Sequence, residues 1–140
     1  MKLPTLKSAM TPFPHSVEVT APLKEARELM RAHDFHHLPV TEQHSLIGVI
    51  SERDIMAALG RGGDAAQLSV RDAYVADPYV VDLEEPIEDV LLAMADRHIG
   101  SAIVTRKGRL AGVFTSMDVC RCFGEFLTEY FPRPGGGQAA

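Results

Sequence analysis

The chain has 140 residues, a net charge of −5 at pH 7 and a hydrophobic fraction of 46%, which fit one globular domain or two small halves. Its Lys and Arg residues form no cluster, so the sequence predicts no binding to nucleic acid or to an anionic membrane. No apolar run approaches the roughly 20 residues of a membrane span, and the first residues lack the apolar core of a signal peptide. We therefore expect a reducing, cytoplasmic setting.

The first half of the chain predicts five elements after an approach segment, residues 1–8. A proline-bearing loop leads into a short strand, and Pro22 then opens an amphipathic helix within its first turn. Two further strands are separated by a turn, and a second helix follows the last of them. The predicted strands are Val17–Val19, His36–Val40 and Leu46–Ile50. The order of elements is therefore β-α-β-β-α.

The most informative stretch is Gly48–Asp54, where a predicted buried strand is followed directly by the N-terminus of a predicted helix. The free backbone N–H groups and the positive dipole end of such a helix favour an anion. Ser51 and Asp54 stand three residues apart at this junction. The same pair of residue types also forms a capping box in helices that bind no ligand. Taken alone, the motif favours a cap over a binding site.

The whole arrangement recurs after a shift of 64 residues, without a gap, from about Leu6 to Gly60. Gly48 and Asp54 correspond to Gly112 and Asp118, and Ser51 corresponds to Thr115. Two copies of one β-α-β-β-α unit are therefore present. Neither copy buries much surface alone, so we expect the two to pack on each other. The predicted segments are 1–8 (approach), 9–60 (repeat 1), 61–72 (linker), 73–126 (repeat 2) and 127–140 (end of the last helix and a disordered tail).

These copies resemble CBS (cystathionine-β-synthase-type) repeats, which pair into a Bateman module. The residues that carry the resemblance are Ala9–Pro12, His36–Val40, Leu46–Asp54 and Leu110–Asp118. The resemblance implies an α/β (α+β) fold in which two repeats pack around a pseudo-two-fold axis. It also implies a regulatory module that binds AMP, ADP or ATP, or else S-adenosylmethionine or a dinucleotide such as NAD.

The resemblance further implies two ligand sites. In the first, Asp54 would hold the ribose, Ser51 the ribose or a phosphate, and Arg53 with His36 a phosphate. The base or sugar would be surrounded by Thr11, Phe13, His37 and Pro39. In the second, Asp118 and Thr115 would take the roles of Asp54 and Ser51. Its base would be surrounded by Tyr74, Asp77, Ser101 and Ile103.

The two predicted sites are not equivalent. His36, His37 and Arg53 of the first copy correspond to Gly100, Ser101 and Met117 of the second. Because three potential cations are replaced by neutral residues, we expect the first site to bind phosphate better.

Three hypotheses about function follow. The first is a nucleotide-sensing module that regulates a partner protein; the second is a scaffold whose motifs are only caps and whose role is self-association; the third is a variant that binds S-adenosylmethionine or NAD. No required cofactor and no catalytic activity are predicted. No metal site is predicted either, because adjacent His36 and His37 point to opposite faces of a strand. The apolar end of the last helix, with Phe123 and Leu127, together with the habit of the family, predicts a homodimer.

Overall fold

The computed structural model describes residues 1–12 and 15–135, which form five α-helices and eight strands. The helices are α1 (Leu6–Ala9), α2 (Leu23–His33), α3 (Glu52–Gly60), α4 (Ile87–Arg97) and α5 (Ser116–Tyr130). The strands are β1 (Thr11–Pro12), β2 (Val17–Glu18), β3 (His37–Glu42), β4 (Ser45–Ser51), β5 (Val75–Ala76), β6 (Val80–Asp82), β7 (Ser101–Arg106) and β8 (Arg109–Thr115). Within these residues, no helix has the length and apolarity that a bilayer-spanning segment requires.

The chain divides into two compact units whose boundaries differ from those of the sequence repeats. The first unit combines Met1–Phe13 with Val80–Ala140, and the second is Pro14–Tyr79. The start of the first repeat therefore belongs to the unit that is built mostly from the second repeat. The predicted repeat boundaries describe the sequence pattern and remain a prediction.

The second unit contains a four-stranded sheet in the order β2-β3-β4-β5. β2 pairs with β3 in parallel, and β3–β4 and β4–β5 are antiparallel. Helix α2 makes the crossover between the parallel strands, as such a connection requires. The core lies between the sheet and the two helices, where Leu23, Leu38, Val40, Ile50 and Ile55 are at most 2% exposed.

The first unit contains a matching sheet in the order β1-β8-β7-β6. β6 pairs with β7 in parallel, whereas β7–β8 and β1–β8 are antiparallel. Its buried side chains include Leu6, Val90, Ile103, Val104 and Phe114. The two units thus repeat one architecture, and the predicted α/β fold with two β-α-β-β-α repeats is confirmed.

Several element boundaries differ from the predicted ones. Pro22 and Pro86 are the N-cap residues of α2 and α4 rather than members of their first turns. Strand β3 begins at His37 rather than His36. The approach segment contains a helical turn, α1, because the Thr5 side chain accepts the N–H of Ser8 and caps it. Helix α5 ends at Tyr130; of the predicted tail, residues 136–140 lie outside the described residues.

Both central hairpins use the same tight turn. Gln43 and His44 have φ values of 49° and 70°, and Lys107 and Gly108 have 52° and 77°. Two successive residues with positive φ match the right-handed twist of the flanking strands. This turn holds β3 against β4, and β7 against β8, in equivalent registers.

Glycine is shared at positions 48 and 112 because an edge strand approaches closely there. A Cβ on Gly112 would lie 2.6 Å from the carbonyl oxygen of Thr11 and 2.8 Å from Sδ of Met10. A Cβ on Gly48 would collide with the ring of Tyr74 and the carbonyl oxygen of Val75. At both positions, the absence of a side chain leaves room for the segment that precedes a repeat to pair with the edge of a sheet.

Candidate functional site

The candidate site in the second unit begins where β4 passes into α3. The Ser51 hydroxyl accepts the backbone N–H of Asp54 at 3.1 Å, and Oδ2 of Asp54 accepts the N–H of Ser51 at 2.8 Å. Two N–H groups that α3 would otherwise leave without partners are thereby satisfied, which makes a complete capping box. The same bonds orient Asp54, which is half-buried at the junction.

The junction of β8 and α5 in the first unit has the same bonds. Thr115 Oγ1 accepts the N–H of Asp118 at 3.2 Å, and Asp118 Oδ2 accepts the N–H of Thr115 at 2.9 Å. A short aspartate side chain therefore reaches back to the N-cap in both units. A complete capping box is therefore observed in both units.

Most residues of the predicted first site lie in the second unit, on β3 and β4 or on the segments that adjoin these strands. His37 lies opposite Ser51 in the β3–β4 ladder, and Pro39 lies opposite Val49. On the other side of β4, Val49 lies opposite Val75, and the Tyr74 ring packs against Gly48. Asp77 follows β5 in a left-handed conformation, with φ of 55°.

In the first unit, the corresponding residues align across β8. Ser101 lies opposite Thr115, and Ile103 lies opposite Val113. Thr11 of β1 pairs with Val113 from the other side. Ile103 is only 1% exposed, so its side chain contributes to the core.

This pairing distributes the candidates between the two units, and their predicted grouping into two sites stays a prediction. Thr11, predicted for the site of Asp54, lies in the unit of Asp118 and donates a hydrogen bond to that carboxylate at 3.2 Å. Tyr74 and Asp77, predicted for the site of Asp118, lie in the unit of Asp54. The reason is that the segment before each repeat completes the sheet of the other repeat: β1 pairs with β8, and β5 pairs with β4. Phe13, the remaining candidate, lies outside the described residues.

The predicted phosphate ligands of the second unit differ in availability. His36 Nδ1 is 2.7 Å from Glu52 Oε2, and its Nε2 is 3.8 Å from Asp34 Oδ1. Arg53 is exposed in the first turn of α3 and makes no ion pair within the part of the chain that the structure describes. Because carboxylates already engage His36, Arg53 is the cation better able to meet an anion here.

Arg121 is the residue that sequence reasoning missed. Its guanidinium is 3.2 Å from Asp118 Oδ1, one turn further along α5. A cation three residues after a helix-borne carboxylate is an available sequence signal, and the corresponding position in the first copy is Ala57. The contact between Arg121 and the Asp118 carboxylate, which the structure shows, is what makes Arg121 part of the candidate site.

The described histidines and acids form no metal centre. His33 stacks on His15 with ring centroids 4.1 Å apart, and Phe35 packs against both. Throughout residues 1–12 and 15–135, no three His, Cys, Asp or Glu side chains converge to hold a metal ion.

Comparison with known proteins places the chain in a family. The CBS domain model matches residues 6–61 and 70–125. L-aspartate semialdehyde sulfurtransferase of Methanocaldococcus jannaschii is 27% identical over 121 residues, which are 85% of this chain and 23% of that enzyme. The chain therefore spans about a quarter of this curated relative.

Two solved structures share the fold. The CBS domain pair of protein MJ0100, in complex with 5′-methylthioadenosine and S-adenosyl-L-methionine, superimposes with a TM-score of 0.76 at 24% identity. That match covers 86% of this chain and 100% of the other. The CBS domain of a bacterial CNNM/CorC family Mg²⁺ transporter in complex with ATP gives 0.72 at 24% identity, covering 86% and 87%. With two matched domains and the two sheets described above, the chain belongs to the CBS domain family.

Proposed function

We propose that this chain is a regulatory module that binds an adenosine-containing nucleotide (AMP, ADP or ATP) through Asp54 and thereby modulates a partner protein. The observation that carries the proposal is the state of the Asp54 carboxylate. Its Oδ2 accepts the N–H of Ser51, whereas its Oδ1 accepts no hydrogen bond from any described residue. A half-buried carboxylate with a free oxygen is suited to accept hydrogen bonds from the hydroxyl groups of a ribose.

Arg53 and the N-terminus of α3 support a phosphate beside that ribose. Helix α3 runs for nine residues from Glu52, so its dipole favours an anion at the junction, and Arg53 adds a full charge. Glu52 opposes this effect, but its carboxylate is already engaged by His36, whose Nδ1 lies 2.7 Å from Oε2 of Glu52. Ser51, His37, Pro39, Tyr74 and Asp77 are proposed to line the sugar and the base.

The ligands of the related structures fit this chemistry. 5′-Methylthioadenosine, S-adenosyl-L-methionine and ATP, which those two complexes contain, all present an adenosine group. At 24% identity these likenesses establish the fold, so the choice of ligand rests on the motif at Asp54. A variant that takes S-adenosylmethionine or NAD is distinguished from a nucleotide sensor by its ligand alone.

We further propose that the chain acts by binding rather than by catalysis, with no required cofactor. Each carboxylate of the two motifs is accounted for by a helix cap and, at Asp54, by the proposed ribose contact. Catalysis would need in addition a nucleophile with its base, or an acid and a base with separated pKa values. A cytoplasmic location remains a prediction from sequence.

Self-association is the second candidate function, and the surface of α5 favours it. Phe126 and Tyr130 pack on each other with ring centroids 5.0 Å apart, and the backbone N–H of Lys2 donates to the Tyr130 hydroxyl. Phe123 and Leu127 remain 59% and 41% exposed. Apolar side chains exposed together on one helix favour contact with a second copy of this chain. A monomeric mass by light scattering at micromolar concentration would contradict the dimer.

Calorimetric titration tests the proposed function. The wild-type protein, Asp54→Ala and Asp118→Ala are titrated with AMP, ATP, NAD and S-adenosylmethionine. We expect at least one adenine nucleotide to bind, and Asp54→Ala to abolish the binding. A ligand at a hundredfold excess over Kd should also stabilise the fold by about 2.7 kcal/mol.

Asp54→Asn is the matched control, because its side-chain oxygen can still accept the N–H of Ser51 whereas the second carboxylate oxygen is replaced by an NH₂ donor. If Asp54→Ala abolishes binding and Asp54→Asn leaves it unchanged, the loss comes from the helix end rather than from ribose contacts. If nothing binds to the wild type at millimolar concentration, the motifs are caps and self-association becomes the better account.

A further inference from the structure

The two motif carboxylates have different surroundings although their sequences match. Asp118 is 2% exposed, whereas Asp54 is half-buried. Asp118 accepts hydrogen bonds from the Thr115 N–H, the Thr11 hydroxyl and the Arg121 guanidinium. Asp54 accepts one, from the N–H of Ser51. The difference therefore lies in two additional donors.

These donors occupy the oxygen atoms that a ribose would need. Both Thr11 and Arg121 are 3.2 Å from Oδ1 of Asp118, and the Thr115 N–H is 2.9 Å from Oδ2. A carboxylate offers about four acceptor positions, and the vicinal hydroxyls of a ribose need two of them on an accessible edge. Because Asp118 is almost fully buried beneath these partners, a ribose could bind it only by displacing Thr11 or Arg121.

The second unit, which contains Asp54, lacks both donors at the corresponding positions. Arg121 corresponds to Ala57, and Thr11 corresponds to Val75. Neither an alanine nor a valine side chain can donate a hydrogen bond. These two residue differences explain why Asp118 accepts two additional hydrogen bonds and Asp54 does not.

The charges beside Asp118 also oppose a nucleotide. A cavity of about 350 Å³ borders Asp118, between the N-terminal segment and α5. Its charged lining consists of Lys2 and Arg121 against Asp118, Glu125 and Glu129. Arg121 pairs with Asp118, and the carboxylates of Glu125 and Glu129 in the same cavity lining would repel a phosphate group.

We propose that the side chains of Arg121 and Thr11 occupy the acceptor positions of Asp118 and thereby prevent a ligand from binding to this carboxylate. Each polypeptide chain then binds one adenosine ligand, at Asp54. This inference rests on the proposed function and determines its stoichiometry. Arg121 stands where a ligand would otherwise satisfy the carboxylate. Its side chain is 61% exposed, so it retains hydration while neutralising the buried acid.

Reciprocal variants test the proposal by calorimetry with adenosine and ATP. The wild type should bind one equivalent, and the variant with Thr11→Val and Arg121→Ala should bind two equivalents of adenosine. The opposite exchange, Ala57→Arg with Val75→Thr, should weaken binding at Asp54 by at least about tenfold, since a ligand must then displace a charge-assisted bond.

The outcomes are separable from those of the proposed function. Two equivalents in the wild type, or one in the variant with Thr11→Val and Arg121→Ala, would overturn the proposal about Asp118 while nucleotide binding stands. Binding to neither the wild type nor any variant would overturn nucleotide binding, and this inference with it. If that double variant fails to fold in a thermal melt, the Ala57→Arg arm decides: an unchanged affinity there contradicts the role of the arginine.

Discussion

Thr11 and Asp118 are 107 positions apart in the sequence and are joined by a hydrogen bond of 3.2 Å from the threonine hydroxyl to the carboxylate. This bond attaches the beginning of the chain to the helix junction of the second repeat. It accompanies the pairing of β1 with β8, in which Thr11 lies opposite Val113. The segment that opens the first repeat is thus structurally part of the unit that contains the second.

Replacing Thr11 with valine should reduce the free energy of unfolding by roughly 1–2 kcal/mol, because a buried carboxylate loses one of its donors. The measurement is chemical denaturation followed by circular dichroism. Val75→Thr adds a hydroxyl at the corresponding position of the other unit, where 51% of the residue is exposed, and should change stability little. Equal effects of the two substitutions would contradict a specific contact with Asp118.

Gly112→Ala should destabilise the protein by roughly 1–3 kcal/mol, because the added methyl group meets the Thr11 carbonyl oxygen and the sulfur of Met10. Gly124→Ala is the matched control within the same unit. Position 124 lies in α5 with open space around it, so alanine should stabilise the helix by about 0.5–1 kcal/mol. Thermal unfolding of both variants checks the opposite signs; a neutral Gly112→Ala would argue against the tight approach of β1.

Ser51→Ala should cost about 1 kcal/mol of stability, because the N–H of Asp54 loses the Ser51 hydroxyl as its acceptor. Urea denaturation of the protein without ligand measures this effect. Ser51→Thr keeps a hydroxyl acceptor of the kind that serves at Thr115, and should stay close to the wild type. A loss of the same size in both variants would show that the hydroxyl bond is not the cause.

Arg53→Ala should lower the affinity for ATP by about tenfold and leave the affinity for adenosine nearly unchanged. The exposed guanidinium is proposed to meet phosphate, and one charge-assisted hydrogen bond is worth at least about 1.4 kcal/mol. Calorimetry with the two ligands provides the comparison, and raised salt should reduce the difference. An equal loss for both ligands would place Arg53 at the sugar or base instead.

Cys122 should react more slowly with iodoacetamide than Cys120. Burial raises the pKa of the Cys122 thiol, and the negative charges of Glu125 and Asp118 raise this pKa further. Less thiolate is therefore present at neutral pH, and the thiolate is the reactive form. Cys120 is exposed. Mass spectrometry of timed reactions with Cys120→Ser and Cys122→Ser measures each thiol alone; faster labelling of Cys122 would contradict the direction of the shift.

The sequence contains enough information to predict the repeated architecture. Gly48 and Gly112, the prolines before α2 and α4, and the apolar spacing of each helix recur at a constant distance along the chain. Such local and periodic signals specify helices and strands because each depends on neighbouring residues. The capping boxes at Ser51 and Thr115 are local in the same sense, since each bond spans only three residues.

Only the tertiary structure shows which sheet β1 and β5 join, and therefore which motif carboxylate shares a unit with each of them. A short edge strand offers the same backbone hydrogen bonds to any open sheet edge, so the sequence pattern of β1 or β5 does not identify its partner. The partners of Asp118 likewise depend on contacts across 107 residues for Thr11, whereas Arg121 reaches it within one helical turn. The amino-acid sequence by itself determined the repeated fold and the two acidic motifs. Long-range packing determined that one carboxylate is enclosed and the other is open.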